Sequence, residues 1–132
     1  RVTSDVERVG DYAENITEYA HILENSNSHF SEKALDEIEE MREYIFDVYQ
    51  QAMKAYMEID EAALNRASAS EEVVDKLTDQ MQLNHVERLT SNRCTPVVGQ
   101  QFLELASDSE RISDHWINVG RTIKDILRVR KK

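Results

Sequence analysis

Ser107-Asp108-Ser109-Glu110-Arg111-Ile112-Ser113-Asp114 reads almost the same as a stretch near the other end of the chain, Ser4-Asp5-Val6-Glu7-Arg8-Val9-Gly10-Asp11. The match continues to Asn118-Val119 against Asn15-Ile16, with six identical positions and two exchanges of Val for Ile. Shared apolar positions would follow from any two amphipathic helices. Shared Ser, Asp, Glu and Asn would not, so the chain carries an internal duplication. In each copy a Glu and an Asp stand four residues apart, on one face of a helix, where like charges destabilise it by a few tenths of a kcal/mol. Such a pair is either a solvated face or the start of a site.

Apolar spacings of three and four spread outward from both copies and make the whole chain read as helix. A first helix over roughly residues 3–24 carries Val6, Val9, Ala13, Ile16, Ala20 and Leu23. A second runs from an N-cap at Ser31 to about Ala67, and Ser68 with Glu71 has the spacing of a capping box opening a third. The third carries Val74, Leu77, Met81 and Leu89 to about Ser91. Thr95 and Pro96 form a cap and first position for the fourth. Three glycines and one proline are too few for the turns of a many-stranded protein. The expected class is all-α, an antiparallel bundle of four helices. At 1.5 Å per residue the second helix would run roughly 55 Å and the first about 33 Å, so one uniform bundle does not fit.

The third helix adds Glu71 and Asp75, again four apart. Were it an antiparallel neighbour of the fourth, Glu71, Asp75, Glu110 and Asp114 would converge. Such a cluster must take up protons or a cation, for which a hard or borderline divalent metal suits oxygen ligands. The bland alternatives are ordinary salt bridges from Arg8 and Arg111, and a capping box of Ser4 with Glu7. His85 and His115 read as packing residues rather than ligands.

With 26 Asp and Glu against 16 Lys and Arg, the net charge of −10 excludes nucleic acid as the main partner. No apolar stretch reaches the roughly 20 residues of a membrane span. The lone Cys94 forms no internal disulfide, in keeping with a cytoplasmic setting. The abrupt, charged helical start is what a piece of a longer chain would show.

Asp5-Val6-Glu7-Arg8-Val9-Gly10-Asp11-Tyr12-Ala13-Glu14-Asn15-Ile16 resembles the signature of the PhoU family, and Ser107 to Val119 resembles its second copy. Glu71-Glu72-Val73-Val74-Asp75-Lys76-Leu77 is similar to the acidic pattern on the preceding helix of a PhoU repeat. His85-Val86-Glu87-Arg88-Leu89, Cys94, Gly99 and Phe102-Leu103-Glu104-Leu105 look closest to the C-terminal cytoplasmic PhoU-like domain of bacterial sodium/phosphate symporters. The resemblance implies two three-helix bundles with the signature on the third helix of each. Residues 1–24 would then be the last helix of a truncated first repeat, 31–129 a complete second repeat of three long helices, and 130–132 a basic tail. It also implies multinuclear iron or zinc at the acidic pairs. Glu71, Asp75, Glu110 and Asp114 would form one site, and Glu7 with Asp11 half of another. Ser113 and Trp116 depart from the small residues usual at their positions.

Three functions follow. The first is a non-catalytic regulatory domain of phosphate uptake, homo-oligomeric, working with a membrane phosphate transporter at the inner face of the cell membrane. The second is a structural helical module that dimerises. The third, a carboxylate di-iron enzyme, needs two Glu-x-x-His motifs, and the chain holds only Glu18-Tyr19-Ala20-His21.

Overall fold

A computed structural model describes residues 2–91 and 94–130. Its helices are α1 (Val2–Asn25), α2 (Glu32–Glu58), α3 (Glu61–Thr90), α4 (Pro96–Arg121) and α5 (Ile123–Arg130), with no strand among the described residues. The chain is an all-α bundle. Lys131 and Lys132 of the basic tail lie outside the described residues.

Helices α2, α3 and α4 pack pairwise against one another, while α1 packs chiefly on α4. The core is a seam of Met41, Val48, Ala52 and Ala55 from α2 against Ala63, Leu64, Ala67, Val74 and Met81 of α3, closed by Phe102, Ala106 and Ile117 of α4. Its many alanines let the helix backbones come close. At Gly120 an added Cβ would lie 3.3 Å from the Cα of Ala52. Thr122 keeps right-handed helical angles, so α5 follows α4 after a single-residue interruption, with Ile123 fully buried.

The caps at Ser31 and Thr95 stand as the sequence predicts: each side-chain oxygen accepts the amide of the residue three positions on. The boundary between α2 and α3 does not. It lies at Ile59-Asp60 rather than Ser68–Glu71. Ile59 closes α2 in the left-handed region (φ 52°), and Asp60 caps α3 by accepting the Ala63 amide. Ser68 and Glu71 are therefore mid-helix. Ser4 likewise sits inside α1, so no capping box forms with Glu7.

Half of the apolar stripe of α1 faces the bundle: Leu23 is buried and Val9 and Ile16 partly buried, while Val6, Ala13 and Ala20 are exposed. The face turned to α4 joins Asp5, Tyr12 and Tyr19 to Val9, Ile16 and Leu23, at spacings of three and four. Leu35 and Tyr56 of α2, Leu89 of α3 and Ile126 of α5 are exposed as well.

A candidate carboxylate metal centre

Glu71 and Asp75 stand one turn apart on α3, and Glu110 and Asp114 one turn apart on α4. The helices run antiparallel, so Glu71 meets Asp114 while Asp75 meets Glu110. One carboxylate oxygen each from Glu71, Asp75 and Asp114 lie within 4.8 Å of one another. Glu71, Asp75 and Glu110 are partly buried, and Asp114 sits at the solvent edge of the group.

Burial, with the charges of Asp75 and Asp114 alongside, pushes Glu71 up to about 7. Burial and a hydrogen bond to Asp75 push Glu110 up to about 7. Asp114 is raised too, chiefly by burial, although a hydrogen bond with Glu71 works in the other direction. When protonated, Glu71 can donate to Asp114 and Glu110 to Asp75, which relieves the repulsion of four crowded carboxylates.

An all-oxygen donor set of this spacing fits a divalent cation, which would replace those protons. Oxygen ligation suits iron and zinc among others, and nothing in the donor set selects between them. Beside the cluster, Ser113 is fully buried with no hydrogen-bond partner for its hydroxyl, and Trp116 packs edge-on to Tyr49 at 4.8 Å.

The other acidic pair is placed differently. Glu7 and Asp11 are exposed on the far side of α1 and are not brought to the cluster on α3 and α4. The Glu18-x-x-His21 motif is exposed too, with His21 3.9 Å from Glu24, and neither residue joins the carboxylate cluster found among the described residues. His115 is a packing residue: its Nδ1 bonds Asp5 at 2.9 Å and its ring stacks on Tyr12.

Two further acidic residues of the motif stand outside the Glu-Asp pairs. Asp5 and Asp108 are the Asp of Ser-Asp in each motif copy, and both are buried between α1 and α4. Tyr19 donates to Asp108 at 2.6 Å, Arg111 donates to its other oxygen at 2.9 Å, and Asp5 holds His115. Their identity across the copies was the signal available.

A family model described as the PhoU domain matches residues 38–123, from within α2 to the start of α5. The chain belongs to the PhoU family. PhoU domains are non-catalytic and associated with the regulation of phosphate transport. Among curated proteins, the chain is similar to the phosphate-specific transport system accessory protein PhoU homolog 1 of Thermotoga maritima. The two are 27% identical over 137 residues, covering 97% of this chain and 58% of the relative. The chain thus spans somewhat more than half of that relative's length. No solved structure matches it significantly. No helix among the described residues is long and apolar enough to cross a membrane.

Proposed function

We propose that this PhoU domain is a cytoplasmic regulator of phosphate uptake that works with a sodium/phosphate symporter and takes a divalent metal between α3 and α4. The observation that carries the metal reading is the meeting of Glu71 and Asp75 with Asp114 inside a 4.8 Å span, with Glu110 bonded to Asp75. Four carboxylates so placed are costly when ionised and cheap when bound to a cation. Glu71, Asp75 and Asp114 are the ligands, Glu110 completes the ring, and iron and zinc are the expected metals.

Helix α1 is, on this proposal, the last helix of a first repeat, with residues 31–129 as the second. Its exposed Val6, Ala13 and Ala20, and the exposed Glu7 and Asp11, support that placement, because a lone helix has no use for two apolar faces. In the whole protein, Glu7 and Asp11 would be half of a second metal site. The same exposed face favours the second reading, a helical module that pairs with another copy, and supports a homo-oligomer.

Elemental analysis of purified protein beside the double variant E110A/D114A tests the metal. Stoichiometric iron, zinc or manganese that vanishes in the variant supports it; no metal in either, with matching thermal stability, overturns it. Phosphate uptake by cells carrying the symporter with and without this domain tests the regulation. Unchanged uptake under phosphate starvation and excess would sink that part.

A further inference from the structure

We infer that a second site, built at the opposite end of the α2–α4 bundle from the carboxylates, binds a small tetrahedral oxyanion. It is separate from the metal centre: His85 and Arg88 lie ten or more residues further along α3 than Asp75, roughly 15 Å at 1.5 Å per residue.

An open cleft of about 380 Å³ lies where the start of α2, the end of α3 and the start of α4 come together. In a chain of 26 Asp and Glu, no carboxylate is among the described residues lining it. Its polar wall instead holds the Arg88 guanidinium and, beside it, the His85 imidazole, which burial and the Arg88 charge hold toward its neutral form. His85 is 3% exposed and Arg88 9%, and each has a nitrogen without a hydrogen-bond partner, Nδ1 of His85 and Nη2 of Arg88. Buried polar groups are costly to leave unbonded, so two together on one cleft mark a place where a polar guest gains hydrogen bonds.

Arg88 is already positioned for one. Its Nη1 donates to Glu37 at 2.7 Å and its guanidinium lies 4.8 Å over the Phe102 ring, which leaves the second fork free. Glu37 balances part of the Arg88 charge but occupies only Nη1; with its other oxygen held by Asn84 at 3.0 Å, it lines a neighbouring cleft that shares Arg88 with this one. The starts of α2 and α4 also reach the cleft through their caps, Ser31 and Thr95. The amides of Ala34 and Val98 are taken by those caps and Pro96 has no N–H, so the helix starts contribute their dipoles, which favour negative charge, rather than free donors. A guanidinium nitrogen and an imidazole nitrogen on a carboxylate-free cleft at two helix starts are the chemistry of phosphate-like recognition. The ion would be free inorganic phosphate or the phosphoryl group of a small monoester.

The single Cys94 lines the same cleft and makes the test simple. The rate of its alkylation by iodoacetamide is measured on the full chain against inorganic phosphate, phenyl phosphate and sodium chloride at matched ionic strength. Titration calorimetry with the same three follows. Saturable slowing by phosphate or phenyl phosphate, absent with chloride, is the expected result, and the tighter of the two identifies the source. The paired variant R88Q/E37Q leaves no unpaired buried charge and should weaken binding at least about tenfold. Should that variant unfold, H85F read by the same assays replaces it and should also weaken binding. No saturable protection at millimolar phosphate or phenyl phosphate, or unchanged affinity in the folded variants, overturns the inference.

Discussion

Tyr19 donates its phenol proton to Asp108 across 2.6 Å, joining α1 to α4, and Asp108 is the repeat counterpart of Asp5, which holds His115 from the other side at 2.9 Å. Each motif copy thus lends one buried aspartate to the helix of the other copy. Burial and the Asp108 bond raise Tyr19 well above the ordinary phenol range. Tyr19→Phe removes one of the two side-chain donors to Asp108 and should cost about 1–3 kcal/mol in urea unfolding. In a double-mutant cycle with Asp108→Asn the pair should be non-additive by about 0.5 kcal/mol or more. Simple additivity would show that the contact contributes nothing.

Metal-free protein should be more stable in mild acid than above neutrality, as far as the carboxylate cluster is concerned. Glu71 and Glu110 titrate near 7 in the folded chain and near 4.3 when unfolded. The native state therefore binds more protons between those values, and this stabilisation, full below about 4.3, is lost as pH rises through 7. Both side chains are partly solvated, so a fall of a few degrees in melting temperature from about pH 5.5 to pH 8 is the expected size. The E71Q/E110Q variant should flatten that slope. A wild-type curve that rises over the same interval would contradict the assignment.

Metal should compete with those protons. Binding of zinc or iron(II) is expected to release about two protons per site near pH 6, fewer at pH 8, and to tighten as pH rises. Calorimetry in buffers of differing ionisation enthalpy counts them. Release that does not change with pH would mean the metal sits elsewhere.

Two glycines should respond to alanine in opposite directions. At Gly99 a Cβ would collide with the buried His85 ring, so Gly99→Ala must push that imidazole out of its place between α3 and α4 and should cost about 1–3 kcal/mol. At Gly10 nothing lies within 4 Å, and Gly10→Ala on the exposed side of α1 should stabilise this chain by about 0.5–1 kcal/mol. Thermal melts of the two variants separate packing from propensity.

The helical class, the end of α1 and the caps at Ser31 and Thr95 were legible because each rests on local chemistry: a 3.6-residue rhythm, polar breaks and side-chain oxygens placed to accept amides. The turn between α2 and α3 was not. Ile59 adopts a left-handed conformation that a β-branched residue rarely takes, and its stripe neighbours continue across it without a Gly or Pro. The Asp60 cap on α3 and the packing of the seam around Ala55 and Ala63 together hold the break there.

By itself the sequence determined that the chain is helical, that it holds two copies of one motif, and that each Glu-Asp pair shares a helix face, since residues four apart must. Tertiary structure alone decided which pairs meet. Antiparallel packing of α3 on α4 sets Glu71 against Asp114 and Asp75 against Glu110, while α1 turns Asp5 and Tyr19 inward and leaves Glu7 and Asp11 in solvent. Equal motifs acquire unequal environments because burial depends on which neighbour covers a face, and a helix carries no record of its neighbour.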